Sequence, residues 1–435
     1  MADITTHDRW GLLRDRNFAF LWAGQMISQV GDSLNKVALV WFVYDLTGST
    51  LKTTVIGLLQ TIPPLVLAAP IGVYLDRLSK KRVMIWIDLI RAALVLIIPL
   101  LHLAGALTLP RLYILVFLIS LFSSVFGPAL VSSLPLLVAR PQLTAANALI
   151  QSTTNIGMLA GPAISGAGIA LVGAQNVFYV NVVTFLLSAL CLAPIRLAHD
   201  SSRDMARTGT FLEDALVGFR FVGSHPMIIA LMVGASLYSM AASAVVFLLP
   251  ALAKSHFHMG AMGLGALWSL LGIGMLGASL WLSSLRHRDL CARLRLVSTS
   301  LVLGGIAMVA LGLLTWTSAT MASMVLLGGS LALFTPIIWA FLQELAPTEM
   351  LARVLTTFNT AAMAASMAGM LLFGWTADAF APRASLMGAA MTFFIAAAVL
   401  TAFGRRYGFP AIASQPLVFE TSVTSAAASQ GSDVR

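Results

Sequence analysis

Charged residues are scarce in this chain. They make up 10% of its 435 residues, while hydrophobic residues make up 59%. An ordinary soluble protein carries about 25% charged residues. The composition therefore excludes a water-soluble globular protein and predicts that lipid surrounds most of the chain.

Cysteine and other metal-binding or catalytic residue clusters are scarce as well. The two cysteines, Cys191 and Cys291, fit neither a disulfide framework nor a metal-ligand pattern. His256 and His258 have no third ligand nearby in the sequence, and no nucleotide-binding lysine motif is present. The sequence predicts no metal, no cofactor and no catalytic residue, so any transport must draw on an ion gradient.

Long apolar runs, in contrast, are abundant. A run of about 20 apolar residues spans a bilayer as a helix, and such runs recur along the whole chain. They predict an all-α integral membrane protein whose twelve transmembrane helices form two six-helix bundles. The predicted spans are 17–44, 53–75, 83–104, 111–139, 147–172, 176–197, 226–251, 262–285, 296–316, 319–345, 354–379 and 384–404.

A long polar connection divides these spans six and six. Within it, apolar residues from Phe211 to Val222 recur at helical spacing, which predicts an amphipathic helix on the membrane surface. Two such halves suggest repeated bundles with a site between them. The expected domains are an N-terminus (1–16), a first bundle (17–197), the connecting loop (198–225), a second bundle (226–404) and a disordered tail (405–435).

Basic residues predict the orientation. Most of the 26 lysines and arginines lie on the side of the termini, and the other side holds only Lys52, Arg111, Lys254 and Arg383. Because basic residues collect in cytoplasmic loops, both termini are expected in the cytoplasm. The same bias explains the net charge of +9 without nucleic-acid binding.

The first span carries a polar stripe on an apolar helix. A charge at the bilayer centre costs about 2.5–3.5 kcal/mol, so it must face protein or water. We expect the stripe to line a hydrated substrate cavity, with Asp32 as the proton-coupling residue. The stripe consists of Gln25, Ser28, Gln29, Asp32 and Lys36, with Asn35 at its edge.

Asp32 and Lys36 are one helical turn apart, so they are expected to pair. One interpretation is a neutralised bridge that only positions the helix. The other is a carboxylate that takes up and releases a proton during transport, with Lys36 alternatively holding an anionic substrate.

The segment "GVYLDRLSKKR" resembles the loop after the second helix of the major facilitator superfamily. Gly72, Asp76, Arg77, Lys80 and Lys81 match that motif, and Ser79 replaces its second glycine. The resemblance implies a gating element in which Asp76 caps a helix of the other half.

The segment "GMLAGPAISG" resembles the superfamily's antiporter motif in the fifth helix. Gly157, Gly161, Pro162 and Gly166 match, and Ser165 replaces a glycine. Small residues at this spacing permit close helix packing. The family's basic motif in the fourth helix is missing, and Asp88 and Arg91 of the third span are expected to supply the charge relay instead.

The first span as a whole resembles bacterial siderophore exporters and macrolide efflux proteins. The resemblance implies a bacterial inner-membrane transporter, not an enzyme, that exports a small molecule by alternating access in exchange for protons. It implies a monomer whose partners are its substrate, protons and lipid. A siderophore-like substrate suits Lys36 and the amide-rich stripe, whereas a lipophilic cationic drug suits Asp32. Lysophospholipid or sugar transport, or a sensor with a transporter fold, are further alternatives.

Overall fold

The computed structural model describes residues 12–75, 78–139, 142–196, 226–284, 290–314, 317–345 and 351–406. In this part of the chain, twelve long α-helices follow one another, which confirms the predicted all-helical fold. In chain order they are α1 (Arg16–Thr47), α2 (Thr50–Leu75), α3 (Lys80–Leu103), α4 (Leu109–Ser133), α5 (Leu143–Val172), α6 (Ala174–Leu192), α7 (Pro226–Ala251), α8 (Ala261–Ser284), α9 (Leu290–Leu313), α10 (Thr317–Leu345), α11 (Leu351–Ala379) and α12 (Pro382–Arg406).

Local sequence sets the ends of α1 and the sharp turn after α5. Asp15 caps α1 because its carboxylate accepts a hydrogen bond from the Phe18 amide at 2.9 Å. Gly48 ends α1 in the left-handed conformation, with φ 63°. Gly173, with φ 85°, is the single residue between α5 and α6. This short connection makes α5 and α6 antiparallel neighbours.

The two sets of six helices pack in the same pattern. In the first set, α1 contacts α5 and α6, α3 contacts α4 and α6, and α2 contacts α4. In the second set, α7 contacts α11 and α12, α9 contacts α10 and α12, and α8 contacts α10. Adding six to each helix number converts one pattern into the other, so the two halves are structural repeats.

Two helix pairs make the most extensive contacts between the halves. They are α2 with α11 and α5 with α8, which the repeat again relates to each other, and α7 adds smaller contacts with α1 and α2. Residues of both halves contribute to one large apolar cluster, from Leu34 and Val37 of α1 to Leu248 and Leu249 of α7. The space between the halves is therefore bordered by these four helices and by α1 and α7.

Within the residues that the structure describes, eight helices are long and apolar enough to cross a membrane: α3, α4 and α7–α12. The first helix is not among the eight, because the polar residues at its centre lower its hydropathy.

Several boundaries differ from the prediction. The last helix continues to Arg406, two residues beyond the predicted bundle, and a short π-helix, Leu252–His256, extends α7. The predicted amphipathic helix and the tail after Arg406 lie outside the described residues.

Candidate transport site

The centre of the first half contains an ion pair between α1 and α3. One guanidinium nitrogen of Arg91, Nη2, lies 2.5 Å from Asp32 Oδ1 and 2.6 Å from Asp32 Oδ2. The Arg91 side chain is 3% exposed and that of Asp32 26% exposed. The pair is thus largely withdrawn from solvent, but the aspartate keeps some access to it.

Arg91 is also held by aromatic rings and by a second carboxylate. Its guanidinium carbon lies 3.9 Å from the ring centre of Phe185 in α6 and 5.8 Å from that of Phe126 in α4. A guanidinium over an aromatic face gains about 2 kcal/mol when it is desolvated. Arg91 Nη1 lies 3.5 Å from Oδ1 of Asp88, one turn earlier in α3 and fully buried. Four helices therefore position this arginine.

The predicted pairing of Asp32 with Lys36 is wrong. Asp32 bonds to Arg91 instead, and Lys36 is exposed with no ion-pair partner among the described residues. Asp88 and Arg91, which were expected to supply a charge relay, both belong to this ion cluster, and the relay itself stays a prediction. An arginine that Phe185 and Asp88 already hold in place competes well with an exposed, flexible lysine, because pairing with Asp32 orders fewer side-chain rotamers.

The polar stripe of α1 faces its own half. Gln25, Ser28 and Asn35 are buried, and Gln25 Oε1 and Asn35 Oδ1 have no hydrogen-bond partner among the described residues. Gln29 is half-buried against α5. None of these stripe residues is among those that line the cavity between the two halves, and the expectation that the stripe lines a substrate cavity stays a prediction.

The antiporter-like segment of α5 packs directly on that stripe. A Cβ atom added at Gly157 would lie 2.9 Å from the Gln29 carbonyl oxygen, so only glycine permits this approach. Ser165, which stands where the motif has glycine, is buried and donates a hydrogen bond to the Leu34 carbonyl at 2.9 Å. Gly161, Pro162 and Gly166 lie in the same helix, and their contacts are outside what the structure describes.

The gating segment is described only in part. Gly72 lies in the last turn of α2, and Asp76 and Arg77 fall outside the described residues. Lys80 is buried in the first turn of α3. Lys81 donates to the Ala193 carbonyl at 2.5 Å, at the C-terminus of α6, where a cation is favourable.

A cavity of about 450 Å³ lies between the halves, away from the stripe. It is bordered by α2, α7 and α11. Its lining residues are Gly57, Gln60, Thr61, Tyr238, Ser239, Ala242, Ser243, Val246, Phe247, Asn359, Ala362, Met363, Ser366 and Met370. None of these side chains is charged. The lining combines amide and hydroxyl groups with methionine and aromatic side chains.

Tyr238 is the best-fixed polar group of the cavity. Its ring stacks on Phe334 of α10 at 3.9 Å between centres, and its hydroxyl donates to the Leu331 carbonyl at 2.9 Å. Gln60 and Asn359 contribute the two side-chain amides of the lining, and because Gln60 is half-buried and Asn359 is exposed, a bound molecule can reach them. Sequence reasoning missed this set, because isolated polar residues on three distant helices form no local pattern.

The halves are joined by polar contacts at one end of the bundle, the end where α1 ends and α2 begins, which we call the far end. There the carboxylate of Asp378, near the end of α11, accepts hydrogen bonds from the Thr50 amide at 2.7 Å and the Leu51 amide at 3.2 Å. The Ser49 hydroxyl also donates to it. Asp378 thus caps the N-terminus of α2 from the other half, where unpaired amides favour an anion.

Two further contacts close the far end. Lys254 Nζ, just after α7, lies 2.5 Å from Asp45 Oδ1 in α1. Val40, Phe247 and Met370 form a small apolar cluster that joins α1, α7 and α11. Since Phe247 and Met370 also border the cavity, this cluster separates the cavity from the far end.

The two related halves of six helices, with a cavity between them, define the class of proteins with the major facilitator fold. Solved structures agree. A bacterial homologue of the human lysosomal transporter Spinster, inward-facing and unoccupied, matches with a TM-score of 0.69 and 13% identity over 92% of this chain and 98% of its own. A bacterial metal transporter matches with a TM-score of 0.68 and 15% identity over 89% and 98%.

The family is shown by sequence. The model of the transmembrane secretion effector family, of the major facilitator superfamily, matches residues 7–419, so the chain belongs to that family. Macrolide efflux protein A of Streptococcus pyogenes is 24% identical over 374 residues, which cover 86% of this chain and 91% of the relative. Multidrug efflux pump Tap of Mycolicibacterium fortuitum is 27% identical over 384 residues, with 85% and 90% covered. The superfamily resemblance seen in the sequence is confirmed, and the chain is a multi-pass membrane transporter.

Proposed function

We propose that this transporter exports uncharged or weakly charged amphipathic molecules of drug size from a bacterial cytoplasm. The observation that carries the proposal is the cavity between the halves, whose described lining mixes uncharged polar groups with methionine and aromatic side chains. A pocket that is largely apolar with a few polar groups suits such ligands. The relatives named as macrolide and multidrug efflux proteins support the same substrate class.

A siderophore-like anionic substrate has less support. It depended on a cationic group in the cavity, and Lys36 does not border this cavity. An anion placed among amides and apolar side chains would leave its charge uncompensated.

The proposed mechanism is proton antiport by alternating access. The Asp378 cap, the Asp45–Lys254 pair and the apolar cluster close the far end in this conformation, so the cavity exchanges with the end that carries the termini. We take that end as cytoplasmic, because the basic residues collect there. Asp32 remains the proposed proton site, since it is partly exposed and its release from Arg91 would change the packing of α1 on α3.

The test uses a bacterial host that lacks its own drug pumps. Cells expressing the chain should accumulate less radiolabelled erythromycin than cells with an empty vector, and a protonophore should abolish the difference. Equal accumulation of erythromycin and of a panel of cationic dyes, at verified expression, would contradict drug export. Secretion of an iron chelator that depends on the chain would instead support the siderophore alternative.

A further inference from the structure

The ion cluster in the first half contains one more carboxylate than cations. Asp32 and Asp88 share the single guanidinium of Arg91, and among the described residues these are the charged groups that act on Asp88. The other groups facing the cluster are Phe126 of α4 and Phe185 and Ser188 of α6. With both carboxylates ionised, the cluster would carry a net negative charge where the dielectric constant is low, which is costly.

The two carboxylates are not equally compensated. Arg91 contacts both oxygens of Asp32 at 2.5–2.6 Å, but it reaches Asp88 Oδ1 only at 3.5 Å. Asp88 Oδ2 has no hydrogen-bond partner among the described residues, although the Asp88 side chain is 0% exposed. An ionised carboxylate oxygen in such a place would lack both water and donors, so Asp88 is the member that favours the neutral form.

The hydroxyl of Ser188 in α6 faces the same carboxylate. A serine hydroxyl can donate to an ionised carboxylate or accept from a protonated one, so Ser188 is compatible with both forms. The preference for the neutral form follows from the complete burial of Asp88 and from the absence of a partner for Oδ2 among the described residues.

We propose that Asp88 holds a proton while Arg91 is paired with Asp32, and that the two carboxylates exchange the proton and the arginine during transport. In the exchange, the O–H bond of Asp88 breaks and an O–H bond forms on Asp32, while Arg91 moves its contact from Asp32 to Asp88. The charge of the cluster is unchanged. Asp32, with its 26% exposure, then releases the proton to water. This inference rests on the proposed proton antiport and adds the second proton site.

The test is infrared difference spectroscopy on the purified wild-type protein, which needs no substrate and no transport. A protonated carboxylic acid shows a C=O stretching band that an ionised carboxylate lacks. We expect this band near neutral pH in the wild type, its loss in Asp88→Asn, and a shift of its frequency in Ser188→Ala. Glu344→Gln, which alters a carboxylate of the second half that pairs with Arg293, serves as the control and should leave the band unchanged.

The exchange makes a separate prediction for Asp32→Asn. Arg91 would then have Asp88 as its only carboxylate partner, so Asp88 should ionise and the band should disappear. A band that persists in Asp88→Asn, or that Ser188→Ala leaves unshifted, would overturn the assignment to Asp88. A band that persists in Asp32→Asn would overturn the exchange.

Transport of a defined probe separates this inference from the proposed function. In proteoliposomes, Asp88→Asn should retain exchange of unlabelled for labelled erythromycin, because Asn mimics the protonated acid. It should lose uptake driven by a pH gradient. If the wild type shows no gradient-driven uptake, the proposed function fails. If the wild type and Asp88→Asn both show it with the same pH profile, the inference about Asp88 fails.

Discussion

Replacing Asp378 with asparagine should open the far end of the transporter. The carboxylate accepts three hydrogen bonds at the N-terminus of α2, from the Ser49 hydroxyl and the Thr50 and Leu51 amides. Asn keeps one acceptor oxygen but loses the negative charge. These contacts reach across the halves, so they stabilise only the conformation in which the far end is closed.

The size of the effect follows from the geometry. An anion at an exposed helix N-terminus contributes about 0.3–1 kcal/mol, and hydrogen bonds to a charged group contribute about 1.5–3 kcal/mol. Because Asp378 is exposed, water replaces part of the lost interaction energy. We expect a loss of about 1–2 kcal/mol, which changes the ratio of closed to open molecules by a factor of about 5–30.

The assay is thiol accessibility of the cavity from the far end. Cys191 and Cys291 are replaced by alanine, and Ser366, which borders the cavity, is replaced by cysteine. Asp378→Asn should increase the rate of modification by an impermeant reagent about 5–30-fold, since the rate follows the open fraction. Asp45→Asn is the matched control. Asp45 and Lys254 pair with each other, and both side chains are about half exposed. Loss of this pair should therefore increase the modification rate at most about fivefold. An unchanged or slower rate in Asp378→Asn would refute the view that this carboxylate holds the halves together.

Three further predictions concern packing, charge and cargo. Gly157→Ala should push α5 away from Gln29 and destabilise the protein by about 1–3 kcal/mol, measured by thermal unfolding. Gly127→Ala is the control, because a Cβ atom there would meet nothing within 4 Å. A melting temperature of Gly157→Ala equal to that of the wild type would contradict the close packing. Arg91→Ala leaves the Asp32 carboxylate without its cation and should cost about 3–5 kcal/mol, seen as a loss of folded protein in the membrane. The double variant with Asp32→Asn should recover part of that loss, and no recovery would argue against the pair. Asn359→Ala should weaken erythromycin binding by about 1 kcal/mol, which raises KM about fivefold. Asn147→Ala, which lies outside the cavity, should leave KM unchanged. An unchanged KM in Asn359→Ala would exclude that amide as a contact of the substrate.

Much of the fold could be predicted from the sequence, because apolar runs of bilayer length are a direct consequence of the solvent around them. The turn at Gly173 and the close approach of Gly157 to α1 were also within reach, since each depends on a local small residue. Helix ends were predicted less accurately, because hydropathy does not fix a terminal residue: α12 continues two residues further, to Arg406.

The sites were harder to predict because their partners lie far apart in the chain. Asp32 stood out as a charge inside an apolar run. Lys36 was predicted as its partner because it is close in the sequence, but the Lys36 side chain is exposed. Arg91 lies 59 positions away and reaches Asp32 only because α1 and α3 both pack on α6. Asp378 gave no signal, since an acidic residue near a helix end is ordinary until the other half is placed beside it.

Transport in everted membrane vesicles is the most direct test of proton-driven export that depends on Asp32. Export from cells becomes uptake in such vesicles, and acidification of their interior supplies the driving force. We expect erythromycin uptake by wild-type vesicles on acidification, and none by Asp32→Asn vesicles with equal amounts of folded protein. Undiminished gradient-driven uptake by Asp32→Asn would contradict it.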